Sequence, residues 1–324
     1  MPKLARGSGQ VAAPLDALVC KVLGTRRGGR DVRVASPITE LNGVAMTEQS
    51  SGWKRFWDRG GFWRAVLLAA VYLGVYELIG FLLGLVFTDD MRGEKGGATD
   101  VFLDTALPII ITSVLLVLFA ASVGWLRELF ARQKLPGRRW MWIALIVVLL
   151  INVAALLSID YAKAGLPLVF TWLLTGLFVG FVEELVTRGF VVNMMRKAGH
   201  REIAVAVASA GIFAALHFTN LFTSTQGLGV TLLQIVYTFA FGICMYLILR
   251  VTRTLIAPML VHASTDPTIL LHGTYPSDSL LGLLPTLSTY IVIATGFILL
   301  IVLAISERRR AKENAVPRPI GVTA

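Results

Sequence analysis

The chain has 324 residues, of which 56% are hydrophobic and 15% charged, and its formal net charge is +10. Soluble domains carry about a quarter charged residues, so this composition, with a mean hydropathy of +0.72, argues against a soluble protein. The excess of Lys and Arg does not indicate a nucleic-acid partner, because these residues flank apolar runs, where they set membrane topology. Cys20 and Cys244 are the only cysteines, and they provide neither a disulfide framework nor a thiolate metal site.

The first 57 residues are polar, basic and rich in glycine, without helical periodicity. This pattern predicts a disordered cytoplasmic tail over residues 1–57. Met46 opens a segment that would serve equally well as the start of the protein, and no cleavable signal peptide precedes the first apolar run. We expect a membrane domain over residues 58–310 and a second cytoplasmic tail over residues 311–324.

Eight apolar runs of about 20 residues follow the tail, and this is the length that a helix needs to cross a bilayer. Every second connecting segment is basic, so the positive-inside rule places both termini in the cytoplasm. We therefore predict an all-α protein, a polytopic bundle of about eight transmembrane helices in a cell membrane, with a bacterial plasma membrane as the expected one. The predicted spans are residues 62–87, 105–126, 140–158, 167–195, 203–222, 229–249, 254–273 and 284–305.

The fourth span contains two adjacent glutamates and an arginine, and ionisable groups at membrane depth mark functional sites by default. Glu184 and Arg188 are four residues apart, so on a helix they share a face and can pair. Glu183 is rotated from them by about 100° and is left to face a cavity. The alternative is a buried structural ion pair that locks two helices together. In either case Gly176 and Gly180, at small-xxx-small spacing, predict a close contact with another helix.

Two later spans also carry polar residues. The fifth contains His217, and the seventh contains His262 and Asp266, which are four residues apart on one face. Pro258 and Pro267 interrupt the seventh span, and irregular helices are tolerated in membranes where they line a protected cavity. Taken singly, each feature is equally consistent with packing, as a hydrogen-bonded histidine or as a kink with a self-satisfied His–Asp pair.

The depth of these residues in the membrane provides an independent test. With a rise of about 1.5 Å per residue, Glu183 lies roughly 20 Å from the cytoplasmic end of its span, and His217 lies at a similar depth. The His–Asp pair of the seventh span lies roughly 10 to 16 Å from that end. Three helices therefore place these polar groups in one layer. His200 and His272 lie outside the layer and are predicted to be bystanders.

A layer that contains Glu, two His and Asp suits the hydrolysis of an amide bond in two ways. Glu and His can activate a water while the other groups stabilise a tetrahedral oxyanion. Alternatively, Glu183, His217 and His262 can hold a divalent metal such as zinc and so generate a hydroxide. Ser209 and Ser264 lack the Gly-x-Ser-x-Gly context of a nucleophile, and the HExxH signature of soluble zinc proteases is absent.

The three polar motifs, in this order, resemble those of the CPBP intramembrane proteases. That family includes the CAAX prenyl endopeptidases and bacteriocin-processing and immunity proteins. The motif Glu-Glu-x-x-x-Arg matches residues 183–188, Phe-x-x-x-His matches residues 213–217, and His-x-x-x-Asn or Asp matches residues 262–266. The resemblance covers about residues 167–272, and it implies that this segment is the catalytic core.

The resemblance also implies a role for each motif. Glu183 and His217 would activate the attacking water, and Glu184 with Arg188 would be the supporting pair. The family has been described both as metalloproteases and as glutamate-dependent proteases, and both mechanisms stay open here.

The third motif would bind the oxyanion or orient the substrate, through His262 and Asp266. In the prenyl-processing members of this family the last position of the motif is an Asn, whose amide can donate to an oxyanion. The carboxylate of Asp266 instead favours orientation of His262 or metal binding.

We therefore expect an intramembrane endopeptidase that hydrolyses a peptide bond near the cytoplasmic side of the membrane. Its expected partners are a protein or peptide substrate and the lipid bilayer, with no nucleic acid. One alternative is a non-catalytic membrane immunity or scaffold protein that keeps these residues for structure. The other is a proton-coupled transporter, since Glu and His relays also occupy spans, although the half-to-half repeat of many transporters is not seen.

Overall fold

The computed structural model describes residues 51–223 and 227–315. These residues form helices joined by short connections, and the described part of the chain contains no β-strand beyond a single antiparallel bridge between Ile159 and Pro276. The predicted all-α fold is confirmed.

Nine helices define the architecture of the described residues, and we number them along the chain. They are α1 (Gly52–Asp58), α2 (Phe62–Val86), α3 (Ala98–Ser122), α4 (Arg139–Leu157), α5 (Leu166–Lys197), α6 (Glu202–Phe222), α7 (Leu228–Thr252), α8 (Ile256–Thr274) and α9 (Ser288–Ala315). Short helices in the connections span Asp89–Arg92, Leu126–Phe130, Tyr161–Ala164 and Leu283–Thr286.

The eight long helices, α2 to α9, lie at the positions of the eight predicted spans. Within the described residues, seven of them are long and apolar enough to cross a membrane, so the chain is a multi-pass membrane protein. The eighth, α8, has 19 residues but carries His262, Asp266 and His272 and two prolines, which lower its hydropathy. A helix enclosed by other helices does not need an apolar surface all round, and α8 packs between α4 and α5.

Boundaries near both ends of the described chain, and the start of α3 at Ala98, seven residues before the predicted one, differ from the prediction. Residues 52–57, assigned to the disordered tail, belong to α1, because the Ser51 hydroxyl accepts a hydrogen bond from the Lys54 backbone N–H and Trp57 is buried against Phe119. The last helix continues to Ala315, past the predicted span end at residue 305 and the domain boundary at 310, through a segment of Glu, Arg, Lys and Ala that favours helix. The remainder of both predicted tails lies outside the described residues.

The contact between α5 and α8 is close because two glycines face it. A Cβ atom at Gly176 would lie 2.5 Å from the carbonyl oxygen of Ala263, and one at Gly180 would lie 2.6 Å from that of Met259. Atoms cannot approach so closely, so any larger residue would push the helices apart. The predicted small-residue contact is confirmed, and it brings the polar motifs of α5 and α8 side by side.

Candidate active site

Glu184 is the centre of a buried ionic cluster. Its side chain is fully buried, and its Oε1 atom lies 3.0 Å from Nη1 of Arg188 and 2.8 Å from Nδ1 of His262. The predicted pairing of Glu184 with Arg188 is confirmed. The bond to His262 joins α5 to α8 and had not been predicted.

Arg188 lies within a π-helical segment of α5 and makes several contacts through its terminal nitrogens. This segment, Leu185–Val191, starts directly after Glu184. The guanidinium group donates to the hydroxyl of Thr187 and, over 3.0 Å, to the carbonyl of Gly242 on α7, and it lies 4.8 Å from the ring centre of Phe213. These contacts offset the cost of burying a cation in a membrane helix. Short π segments are often found at functional sites.

Glu183 differs from Glu184 in both burial and hydrogen bonding. Its side chain is 22% exposed, and its Oε2 atom lies 3.5 Å from Nε2 of His262, which is longer than a hydrogen bond. No hydrogen bond to this carboxylate is recorded from any residue that the structure describes. Glu183 also lies within electrostatic range of His217 and Asp266. It is therefore a carboxylate that has charged neighbours but no fixed partner.

His262 is held in one orientation by hydrogen bonding and by packing. Because an ionised carboxylate only accepts hydrogen bonds, the Nδ1 atom of His262 donates to Glu184. The rings of Phe213 and Phe241 pack edge-on against the imidazole, with centroids 5.7 and 5.0 Å away. The orientation of the ring leaves its Nε2 atom on the side of the second glutamate.

Asp266 lies farther from this ring than a hydrogen bond allows. Its Oδ2 atom is 3.8 Å from Nε2 of His262, and its side chain is 40% exposed. The two residues share a face of α8 as predicted, but the carboxylate of Asp266 faces a more open space. Its role stays a prediction.

His217 lies where the α-helical part of α6 ends. The backbone N–H of His217 bonds to Ala214 and Ala215, so the carbonyl of Phe213 is left for the side chain, whose Nδ1 atom lies 3.0 Å away. A carbonyl oxygen only accepts, so Nδ1 donates this hydrogen bond. Nε2 is therefore the ring nitrogen that is left for another partner.

Phe213 connects the parts of the site. Its ring contacts the rings of both histidines, with centroids 5.1 Å from His217 and 5.7 Å from His262, and it also lies under Arg188. In the sequence it was a motif residue without a role. In the structure its ring lies between the groups that α5, α6 and α8 contribute and spaces them.

Asn152 is a supporting residue that was missed in the sequence analysis. From α4, its buried side-chain amide donates to the carbonyl of Val261 (3.2 Å) and to the hydroxyls of Ser264 and Thr265 (both 2.9 Å). It therefore anchors the turn of α8 that carries His262. A single Asn inside an apolar span was the available signal, since such residues commonly bond across helices.

The other candidates have structural contacts. The hydroxyls of Ser209 and Ser264 donate to backbone carbonyls, over 2.9 and 2.8 Å. His272 lies near the far end of α8, with Nδ1 3.0 Å from the hydroxyl of Ser158, and His200 is an exposed residue of the connection between α5 and α6. None of the four joins the cluster around Glu184.

The predicted metal ligands can be compared with known metal sites. Zinc sites in proteins use three or four His, Cys, Asp or Glu ligands. Over residues 51–223 and 227–315, no group of three or more such side chains has an arrangement that could hold a metal ion. Glu183, His217 and His262 therefore do not fit a zinc site as they stand, and metal dependence stays a prediction to be tested in solution.

A protein-family model described as type II CAAX prenyl endopeptidase Rce1-like matches residues 165–268. The matched segment contains all three motifs and agrees with the predicted core at residues 167–272. The family resemblance is confirmed, and at this coarse level it supports an intramembrane endopeptidase. No curated protein and no solved structure matches the chain.

Proposed function

We propose that this protein is an intramembrane endopeptidase in which Glu183 and His217 activate a water that attacks a peptide bond. One observation carries the proposal, and it is the difference between the two adjacent glutamates. Glu184 is fully buried and bonded on both sides, whereas Glu183 is partly exposed and has no recorded hydrogen bond. A structural ion pair accounts for Glu184, but it does not account for a second carboxylate at the same depth.

The proton of the water has two acceptors. Nε2 of His217 is left for the water because Nδ1 donates to a carbonyl, and Glu183 offers a carboxylate. General-base assistance of this kind contributes about 10²- to 10⁴-fold to a rate. The hydroxide forms the new C–O bond, the C–N bond breaks, and the proton taken from the water passes to the leaving amine.

His262 is the proposed donor to the oxyanion. A ring protonated on both nitrogens donates from Nδ1 to Glu184 and from Nε2 toward the reacting carbonyl. The two phenylalanine rings and the Glu184 bond keep that donor in place before the substrate arrives, which is what makes such donors effective. Glu184 and Arg188 act as positioning residues in this scheme.

The substrate is proposed to be a peptide segment that reaches the site from the predicted cytoplasmic side. The matched family is described as a CAAX prenyl endopeptidase, so a prenylated peptide is the first substrate to offer. An unmodified peptide of the same sequence measures what the lipid contributes.

The test is a cleavage assay with detergent-purified protein, with wild type beside Glu183→Gln. We expect wild type to cleave and the variant to lose about 10²- to 10⁴-fold in rate without a change in thermal unfolding. Glu307→Gln on α9 is the matched control, because it makes the same isosteric change far from the site. Normal cleavage by Glu183→Gln would contradict the proposal and favour the scaffold or transporter alternatives.

Each arm of the assay is repeated with a chelator. Unchanged cleavage supports the route through Glu183 and His217 alone. Loss of cleavage that added zinc restores would instead support the metal-dependent alternative, in which Glu183, His217 and His262 move together as ligands.

A further inference from the structure

A cavity lined by charged side chains adjoins the cluster around Glu184, because Arg188 forms part of its wall. It has a volume of about 570 Å³ and opens between the connection from α3 to α4 and the last turns of α5. The charge pattern of the sequence assigns this end of the bundle to the cytoplasm. The cationic side chains in its lining are Arg132, Lys134, Arg188, Arg196 and Lys197.

The two carboxylates of the lining are already paired. Glu202 lies 2.8 Å from Arg196 and 2.9 Å from Arg250, and Glu128 lies 3.0 Å from Lys197. Neither acid is therefore available to neutralise the remaining cations of the cavity.

Two of those cations, Arg132 and Lys134, carry uncompensated charge at the mouth. Both are exposed, and in the described part of the chain no ion pair is recorded for either. The lining of the cavity therefore has two positive charges that no carboxylate of the described residues neutralises, which suits a negatively charged ligand.

The surroundings of the cavity indicate the level of the lipid headgroups. Lys197 lies 4.3 Å from the ring centre of Trp125 and bonds to Asp58 at the end of α1, over 2.7 Å. The same short helix exposes the aromatic rings of Trp53 and Phe56. Aromatic side chains are enriched at the membrane–water interface, so this part of the chain is expected at the level of the phospholipid phosphates.

We propose that this cavity binds the phosphate headgroup of an anionic phospholipid, with Arg132 and Lys134 as its main ionic contacts. Basic pockets between helices on the cytoplasmic side are suited to such headgroups, and each cation near the surface contributes about 1 kcal/mol. Arg188 belongs both to the wall of this cavity and to the catalytic cluster. The proposal does not depend on the protease reaction.

The experiment is a lipid titration of the detergent-purified full chain, followed by native mass spectrometry. The ligands are short-chain phosphatidylglycerol, short-chain phosphatidylcholine and inorganic phosphate. We expect wild type to bind phosphatidylglycerol in preference to phosphatidylcholine, and Arg132→Gln/Lys134→Gln to bind it at least about tenfold more weakly. The matched control, Arg308→Gln/Arg309→Gln, removes the same charge from exposed positions on α9 and should bind as wild type does.

Three results would overturn the proposal. They are equal binding of the two lipids, equal weakening by the cavity variant and the control, and binding of inorganic phosphate without phosphatidylglycerol, which would make the occupant a soluble anion. Circular dichroism and thermal unfolding of each variant confirm that it is folded. Because the readout is binding, a protein with no protease activity would still give a clear result.

Discussion

Two ionic networks are buried in the described part of this bundle, and they differ in how completely their carboxylates are hydrogen-bonded. In the network at the predicted cytoplasmic end, both carboxylate oxygens of Glu202 are used. They accept from Arg196, Arg250 and the hydroxyl of Tyr246. In the catalytic layer, Oε2 of Glu184 is buried without a partner among the described residues, and Glu183 beside it has no recorded hydrogen bond.

The difference separates a carboxylate with a structural role from the proposed reactive one. Both oxygens of Glu202 are bonded, so this acid fixes the helices around it, although Nε of Arg250 in the same network is buried without a partner among the described residues. A buried network with unbonded acceptors costs stability. Such a network is retained where those acceptors bind a substrate or another transient ligand. In the sequence the two look alike, because each consists of charged residues next to apolar runs.

The largest expected effect separates the networks by activity. We expect His217→Ala to lower the rate of peptide cleavage by about 10²- to 10⁴-fold with unchanged thermal unfolding, because it removes a base and no structural bond between helices. His272→Ala is the control with the opposite pattern. It breaks the buried contact with Ser158, so it should lower the unfolding temperature and leave the rate per folded molecule unchanged. The reverse result for the two histidines would show that the catalytic layer is wrongly assigned.

The next effect separates the networks by stability. We expect Glu202→Gln to cost about 3–5 kcal/mol of unfolding free energy, because it leaves the buried Arg250 without its counter-charge. The fraction that remains folded should cleave at the rate of wild type. Glu128→Gln makes the same change at an exposed pair with Lys197 and should cost less than about 1 kcal/mol. Similar losses for the two variants, in denaturant unfolding of purified protein, would contradict the distinction.

The smallest effect concerns Asp58, the last residue of α1, which forms a separate ionic group with Lys54 and Lys197. Burial raises the pKa of Asp58, but hydrogen bonds from Lys197, Lys54 and Trp125 outweigh it and hold the pKa of this carboxyl well below its usual range. A carboxyl whose pKa is depressed by folding stabilises the folded state above its unfolded pKa of about 3.9, and this contribution is lost as the pH falls toward the folded value.

Asp58→Asn should therefore cost about 1 kcal/mol near neutral pH, and less as the pH falls below about 4. Thermal unfolding of both proteins across this range is the measurement. A difference between them that grows toward acid pH would mean that the carboxylate is not the stabilising form.

Much of the fold could be predicted because membrane helices are marked by local features. Uninterrupted apolar runs between charged loops gave the ends of the long helices to within a few residues in most cases. The bond between Glu184 and Arg188 was also local, since four residues bring two side chains to one face of a helix. Gly176 and Gly180 indicated a close contact, although not the helix on the other side of it.

The remaining features of the site depend on how one helix is rotated against another. Glu184 and His262 are 78 residues apart, and their bond requires both the contact at Gly180 and the rotation of α8 about its axis. Asn152 acts through the same contact surface from a third helix. Depth along the membrane normal placed these residues in one layer, but depth contains no information about direction within the layer.

The π-helical segment of α5 determines how the residues of one network are rotated about the helix axis relative to those of the other. Glu184 immediately precedes the segment and Arg196 follows it, so one rigid rod carries a member of each network. Hydrogen bonds in a π-helix span five residues where those of an α-helix span four, so every residue after Val191 is rotated relative to a continuous α-helix. If one residue were deleted from Leu185–Val191, the rod would return to α-helical phase, and Glu184 and Arg196 could no longer both face their partners.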